Sequence, residues 1–122
     1  IVQALRNTRA MRMYVCNVMT QPGETDRYTA SDHVRALFDH GGQGIVDYVL
    51  VNVEEIASCL LDHYAREGAC PVKADIDELE QMGVTVIPAQ LVNESNWVRH
   101  DPERLARVIF SMMDRRRKQQ EN

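Results

Sequence analysis

The sequence predicts an α/β fold in which a mostly parallel sheet is flanked by helices. Two short, nearly continuous apolar segments, 14–19 and 47–52, are typical of strands that are buried on both faces. Each is followed by a segment with the apolar spacing of a helix. Such alternation of strand and helix favours a layered, Rossmann-like arrangement.

The start of the chain suggests that the sequence is one part of a larger domain. Ile1, Ala4 and Leu5 have helical spacing, and no initiator Met precedes them. We therefore expect residues 1–122 to be the C-terminal portion of a single α/β domain. A chain of this length can bury a core of its own.

The first two elements are marked by clear local signals. The strand predicted at 14–19 ends at a Pro-Gly break, and a helix is predicted at 32–40. Thr29 and Ser31 are candidate N-caps for that helix, and a pair of glycines from Gly41 ends it. The same strand-to-helix order is expected after 47–52.

The remaining elements follow from apolar spacing and from turn residues. A strong helix start is provided by Asp101, an N-cap residue, with Pro102 at the first helical position. The other predicted elements are a helix at 54–66, a strand at 71–74, a helix at 77–82, a strand at 84–87 and an irregular stretch at 93–96.

Two asparagines lie at or near the ends of the two buried strands. If the strands are parallel, Asn17 and Asn52 are expected at the same edge of the sheet, where ligands of open α/β sheets bind. A buried amide needs hydrogen-bond partners, so each Asn either fixes the adjacent loop or faces a ligand. The sequence leaves these two interpretations open.

Composition and charge exclude several classes of function. A net charge of −4 provides no basic footprint for nucleic acid, and the longest apolar runs are too short to cross a bilayer. The three cysteines lack a disulfide or metal-site spacing, and the four histidines are scattered. We therefore expect a cytoplasmic protein without a bound metal or cofactor.

Charged groups near two helix starts have two interpretations each. Arg99 precedes the last helix, where it suits an anion such as a phosphate, but the sequence context favours pairing with one of the many nearby carboxylates. Glu24, Asp26 and Asp32 could hold Mg²⁺ against a phosphate, or they could serve as ordinary helix caps.

Four segments resemble the C-terminal part of the YvcK-type proteins, which are also called gluconeogenesis factors and are related to the 2-phospho-lactate transferases. These segments are CNVMTQPGETD at 16–26, YTASDH at 28–33, DYVLVN at 47–52 and VRHDP at 98–102. The resemblance implies a Rossmann-like fold, a bacterial cytoplasmic protein and binding of UDP-N-acetylglucosamine. It also implies a regulator of cell shape, cell-wall synthesis and growth on gluconeogenic carbon sources, rather than an enzyme.

The resemblance assigns ligand contacts by motif position and assigns no catalytic residue. The implied ligand-binding residues are Asn17, Thr20, Gln21, Glu24, Thr25, Tyr64 and Arg99. The Gly-rich nucleotide loop with which family members begin is not found in these 122 residues, so the ligand would be held between that loop and the segments present here.

Two positions depart from the family pattern. Arg27 stands where the family often has Gly or Asn, so the backbone angle that this position requires is in question. Val53 stands where a second Asn often follows Asn52.

A Mg²⁺-dependent transferase supported by Asp26 or Asp32 is the alternative function. A third hypothesis is a protein that contacts a partner through its acidic segment 54–80, and self-association is also allowed.

Overall fold

The computed structural model describes residues 2–94 and 98–121. The helices and strands alternate as the sequence predicts as far as α3, after which two helices and then three strands follow one another. They are α1 (Val2–Asn7), β1 (Met13–Val15), α2 (Ala30–Gly41), β2 (Tyr48–Asn52), α3 (Ser58–Arg66), α4 (Ile76–Gln81), β3 (Thr85–Ala89), β4 (Val92–Glu94), β5 (Val98–His100) and α5 (Pro102–Glu121).

A three-stranded parallel sheet forms the centre of the fold. Its strand order is β1-β2-β3, and Val49 of β2 is in register with Tyr14 of β1 and Val86 of β3. The middle of β2 is buried on both faces, as its apolar run predicts. The predicted α/β fold with a parallel sheet flanked by helices is confirmed.

Alternate side chains of β2 enter two separate cores. Val49 and Val51 pack with α2 and α4, through Val34, Phe38 and Leu79. Leu50, between them, packs on the opposite side with Leu91 and with Met112 of α5. Because successive side chains of a strand point to opposite faces, this separation produces three layers, with helices on both sides of the sheet.

The starts of two helices are capped as the sequence predicts. The Thr29 side chain accepts a hydrogen bond from the Asp32 amide, and the Asp32 carboxylate accepts one from the Thr29 amide, so α2 begins with a capping box. Asp101 accepts hydrogen bonds from the amides of Glu103 and Arg104 at the start of α5. Among the helices of the described residues, none has the length and apolar character to span a membrane.

The predicted strand at 71–74 is wrong. Pro71 makes only an isolated bridge with Met19, and the Val72 amide donates to the Val18 carbonyl at 2.8 Å. This segment closes the loop after β1 instead of joining the central sheet. Proline cannot donate to a ladder, which limits pairing at this point.

Other boundaries also differ from the predictions. β1 ends at Val15, and α3 begins at Ser58 rather than at residue 54. The stretch predicted to be irregular contains part of an antiparallel pair, in which Val92 of β4 is in register with His100 of β5. Residues 95 and 96 of that stretch lie outside the described residues.

Candidate functional site

An open cleft of about 520 Å³ lies beyond the carboxyl end of β2. The edge of the sheet at which β1 and β2 end is called the carboxyl edge below. Ligands of open α/β sheets bind in this position, and a largely apolar cleft with a few polar groups is typical of small-molecule sites. The cleft is lined by Val18, Asn52, Val53, Glu54, Glu55, Ile56, Leu61, Pro71, Val72 and Ala74.

The loop between β1 and α2 carries most of the predicted ligand contacts. Asn17, Gln21 and Glu24 are exposed on it. The Gln21 carbonyl accepts hydrogen bonds from the amides of Glu24 and Thr25, at 3.1 and 2.9 Å. The hydroxyl of Thr25 accepts a hydrogen bond from the Gln21 amide at 2.8 Å. The loop is therefore held in one tight turn with its longer polar side chains directed away from the core.

Thr20 is buried, in contrast to its neighbours in the loop. Its Oγ1 accepts a hydrogen bond from the Cys70 amide at 3.0 Å, and its own amide donates to the Cys70 carbonyl at 2.8 Å. The side chain of Thr20 thus fixes the loop to the segment that follows α3. Contact with a ligand through Thr20 stays a prediction.

The two strand-end asparagines lie at the same edge, as expected, but in different environments. Asn17 is exposed, and both residues line one small cavity at the carboxyl edge. The Asn52 Oδ1 accepts hydrogen bonds from the amides of Leu91 and Glu54, at 3.1 and 3.3 Å, and Nδ2 donates to the Glu54 carbonyl at 3.0 Å. For Asn52, the structure shows the loop-fixing role.

Glu54 is a residue of this edge that sequence reasoning missed. Its carboxylate accepts a hydrogen bond from the Val92 amide at 3.3 Å and lies 3.1 Å from the Arg104 guanidinium. It therefore connects β4 and α5 to the carboxyl end of β2 while lining the cleft. Its partners are 38 and 50 residues away in the sequence, so no local pattern could have identified it.

Tyr64 and Arg99 reach the same region from distant parts of the chain. Tyr64 of α3 is half-buried and packs against the cluster formed by Val18 and Val92. Arg99 lies in β5, and its side chain is outside the described residues. The next residue, His100, places a ring nitrogen 3.0 Å from the Cys16 carbonyl, which fixes β5 beside the end of β1.

All seven predicted contacts therefore lie on segments that touch residues 16–20. The loop residues belong to this region or follow it directly, Tyr64 packs against the cluster that contains Val18, and β5 is joined to Cys16. The structure brings together segments that the sequence separates by more than 80 residues, since Cys16 and His100 are 84 positions apart. Their contact with a ligand stays a prediction.

The N-terminal end of α2 is occupied by side chains of the chain itself. The Ser31 amide donates to the Asp75 carboxylate at 2.9 Å, and the Ser31 hydroxyl also donates to it. Hydrogen bonding by Thr29 holds the pKa of Asp32 below its ordinary value. Asp32 also pairs with Arg35 at 3.0 Å. These contacts favour the capping interpretation of Asp32.

Ionisable groups next to this helix start have altered proton affinities. Burial, with the nearby Asp75 carboxylate, raises the pKa of Cys16 to about 12, so the thiol is protonated at neutral pH. Burial opposes ionisation of Asp75 itself, but hydrogen bonds from Ser31 and Thr29 outweigh it and lower the pKa of Asp75. Among the residues that the structure describes, no three His, Cys, Asp or Glu side chains form a group able to hold a metal ion.

Comparisons with known proteins agree with the architecture. A family model described as 2-phospho-L-lactate transferase CofD matches residues 1–92. A gluconeogenesis factor of Bacillus subtilis (strain 168) is 48% identical over 105 residues, covering 85% of this chain and 33% of the relative. A gluconeogenesis factor of Halalkalibacterium halodurans is 44% identical over 111 residues, covering 90% of this chain and 34% of the relative.

A solved structure has the same fold. A crystal structure of a UPF0052 family member from Bacillus halodurans superimposes with a TM-score of 0.87 at 44% sequence identity. The match covers 90% of this chain and 36% of that one. The chain thus spans about a third of the length of the curated relatives that it matches.

The parallel sheet, its two helical layers and the cleft beyond the carboxyl edge define a Rossmann-like α/β protein. Within that class, the chain belongs to the CofD family, whose model matches most of its length. The resemblance to gluconeogenesis factors that residues 16–26 predict is confirmed by the relatives found.

Proposed function

We propose that this chain forms one wall of a binding site for a nucleotide sugar, UDP-N-acetylglucosamine, in a regulatory protein. The observation that carries the proposal is the cleft beyond the carboxyl edge, beside a loop with three exposed polar side chains, Asn17, Gln21 and Glu24. The similarity to gluconeogenesis factors supports it, because the loop belongs to the matching region.

The residue types around the cleft suit the parts of such a ligand. Amide and carboxylate side chains of Asn17, Gln21 and Glu24 can hydrogen-bond with sugar hydroxyls or with the uracil edge. Arg99 is the residue that we assign to the diphosphate, because a guanidinium binds phosphate oxygens through two parallel hydrogen bonds. Tyr64 supplies a half-buried ring next to the loop.

Calorimetric titration of UDP-N-acetylglucosamine into the full-length protein tests the proposal. Arg99→Ala and Asn17→Ala are expected to weaken binding, by roughly tenfold or more for the arginine, which corresponds to about 1.4 kcal/mol. Gln43→Ala is the matched control, because Gln43 is an exposed amide in the loop that precedes β2, at the opposite edge of the sheet. A folded protein that binds no nucleotide sugar would overturn the proposal.

The regulatory role is proposed together with the ligand. We infer that ligand binding selects a conformation that acts on cell shape, wall synthesis and gluconeogenic growth in the cytoplasm, through a protein partner. Charge reversal of Asp62 and Glu80, exposed acidic residues of the segment 54–80 that do not line the cleft, tests this part. Loss of partner capture with unchanged affinity for the nucleotide sugar would support it, and unchanged capture would refute a role for that segment.

A transferase is the second candidate, and the description of the matching family model favours it. In this case Asp26 would help to hold Mg²⁺ at the site of a nucleotide-activated donor. In the structure the Asp26 carboxylate accepts a hydrogen bond from the Gly23 amide at 3.0 Å, so it already has a role in the loop. Donor turnover that is lost in Asp26→Asn would support the transferase, and recovery of unchanged ligand would support the regulator.

A further inference from the structure

A second open cleft, of about 500 Å³, lies at the opposite edge of the sheet, where the three parallel strands begin. This edge is called the amino edge below. Residues that directly precede or start the strands line the cleft, together with one residue of α5. The charged and hydroxyl-bearing side chains that the cleft brings together include those of Arg9, Arg12, Asp47, Tyr48, Thr85 and Arg116.

The cleft is positively charged, in a chain whose net charge is −4. Its lining contains three arginines and one aspartate. The Arg12 guanidinium donates to both carboxylate oxygens of Asp47, at 2.9 and 3.2 Å, so these two charges are already paired. Among residues 2–94 and 98–121, no carboxylate lies within ion-pair distance of the guanidinium of Arg9 or Arg116. Two positive charges of the cleft therefore have no carboxylate partner in this part of the chain.

Arg116 is half-buried, and a backbone contact holds its side chain at the cleft. Its Nη2 donates to the Arg9 carbonyl at 2.9 Å, which joins α5 to the segment before β1. A guanidinium has five N–H donors, so this contact leaves most of them for other acceptors. The Arg116 charge also reaches the cleft, since it lowers the pKa of Asp47 together with hydrogen bonds from Arg12, which have the larger effect. Because the side chain is already positioned, it loses less freedom on binding an anion.

The unpaired guanidiniums and the hydroxyl groups have the chemistry of a phosphate site. A guanidinium binds phosphate oxygens through two parallel hydrogen bonds, and the hydroxyls of Tyr48 and Thr85 are further donors in the lining. A phosphate monoester carries about −1.5 to −2 charges at pH 7, which matches the two unpaired positive charges. The volume of the cleft is in the range of small-molecule sites.

We propose that the cleft at the amino edge binds a small phosphate monoester, with Arg9 and Arg116 as the residues that contact the phosphate. The pair formed by Arg12 and Asp47 joins the segments before β1 and β2 beside them. The site is separate from the cleft at the carboxyl edge, because the two clefts share no lining residue. The inference does not depend on the nucleotide-sugar hypothesis.

Titration of inorganic phosphate into the full-length protein at constant ionic strength, followed by phosphorus NMR, tests the proposal. The titration uses the Arg99→Ala background, so that binding through Arg99 at the carboxyl edge does not contribute. The dissociation constant for phosphate is expected to rise roughly tenfold in Arg9→Gln and in Arg116→Gln, because each loses charge-assisted hydrogen bonds. Arg115→Gln is the matched control, since Arg115 is an exposed arginine of the same helix that does not line the cleft.

Three results of this titration would overturn the proposal. They are a folded protein that does not bind phosphate, unchanged binding in both cleft variants, and a loss in Arg115→Gln as large as in Arg116→Gln, which would reflect overall charge alone. Circular dichroism checks the folding of each variant. Arg9→Gln keeps the test valid if Arg116→Gln folds poorly, because Arg9 is exposed.

Other occupants of the cleft would give different results. Modification by phenylglyoxal, mapped by mass spectrometry, reports whether Arg9 and Arg116 are accessible in the full-length protein. Protection of both arginines that requires phosphate supports the proposal. Protection without phosphate would mean that another segment of the polypeptide fills the cleft, and it would overturn the proposal. An oligonucleotide that displaces phosphate more effectively than glycerol phosphate does would also overturn it, in favour of a nucleic-acid backbone.

Discussion

Arg27 has a backbone conformation that a side chain disfavours, and its replacement by glycine is expected to stabilise the protein. Among residues 2–94 and 98–121, Arg27 is the only non-glycine residue with a positive φ, which is 62°. It occupies the third position of a turn that is closed by the hydrogen bond from the Tyr28 amide to the Thr25 carbonyl at 3.1 Å. Turns with positive φ at this position favour Gly or Asn.

The expected gain follows from two opposing terms. The left-handed conformation costs a residue with a Cβ about 1–2 kcal/mol. Glycine loses more conformational entropy on folding, which reduces the stabilisation by about 0.4–1 kcal/mol. Arg27→Gly should therefore raise the free energy of unfolding by roughly 0.5–1 kcal/mol. Asn at this position should give part of the same gain, since Asn tolerates the left-handed region.

Urea unfolding of the full-length protein, followed by circular dichroism, measures the effect as a shift in midpoint at constant slope. Arg27→Ala separates the backbone from the side chain, because it removes the guanidinium but keeps the cost of a positive φ. Gly23→Ala is the matched change in the same loop. Gly23 has φ 82° and an added Cβ would meet no atom within 4 Å, so the loss expected there comes from backbone conformation.

Two results would contradict this reasoning. If Arg27→Gly and Arg27→Ala lower stability equally, the Arg27 side chain makes a contribution larger than the backbone cost. If Gly23→Ala leaves stability unchanged, the loop adjusts its backbone without cost, and the positive φ of Arg27 carries no strain.

Three further predictions concern buried polar and ionisable groups. Asn52→Ala should lower the free energy of unfolding by about 1–3 kcal/mol in urea titrations, because the Leu91 amide loses its acceptor. The Cys16 thiol, whose pKa is raised to about 12 by burial, should resist alkylation at pH 8 while exposed Cys59 reacts, as mapped by mass spectrometry. Burial lowers the pKa of His33 below 6.5, so stability should fall as pH decreases below 6.5, and His33→Leu should reduce this pH dependence.

The sign of the His33 effect follows from proton binding in the two states. Below pH 6.5 the unfolded chain takes up a proton at His33 more readily than the folded chain does, so acidification favours unfolding. The free energy of unfolding continues to decrease until the pH falls below the lowered pKa that His33 has in the folded state. The stability contributed by Asp32, Asp47 and Asp75, whose pKa values are also lowered, is lost as the pH falls through 3.8, so the His33 effect begins at a higher pH than theirs.

Each of these three predictions has an outcome that would contradict it. Unchanged stability of Asn52→Ala would mean that the loop amides find other acceptors. Equal alkylation rates for Cys16 and Cys59 would mean that the carboxyl end of β1 opens readily. An unaltered pH profile in His33→Leu would place the acid sensitivity in other groups.

Much of the fold could be predicted from local signals. The apolar run 47–52 predicted a strand buried on both faces, and β2 is that strand. Thr29 and Asp101 predicted helix starts, and both side chains accept hydrogen bonds from amides of the first turn. These predictions succeeded because burial on both faces and helix capping depend on residues close together in the sequence.

Segments whose conformation depends on distant partners were predicted less well. The run at 71–74 was assigned to a strand, but the Val72 amide donates to the Val18 carbonyl in the loop after β1, and the Lys73 carbonyl accepts from the Ala30 amide at the start of α2. β4 and β5 are short and carry no clear alternation of their own, so their pairing was missed. In each case the backbone conformation is determined by a neighbour that the local sequence does not reveal.

The sequence by itself determined the α/β class, the helix caps, the edge at which Asn17 and Asn52 meet, and the family to which the chain belongs. Only the tertiary structure decided that Asn52 and Glu54 join the end of β2 to β4 and α5, through hydrogen bonds that span 38–50 residues. It also decided that α5 leaves Phe110 exposed. Local residues specify periodicity and caps, whereas the packing of distant segments selects which polar groups become connections and which apolar groups stay on the surface.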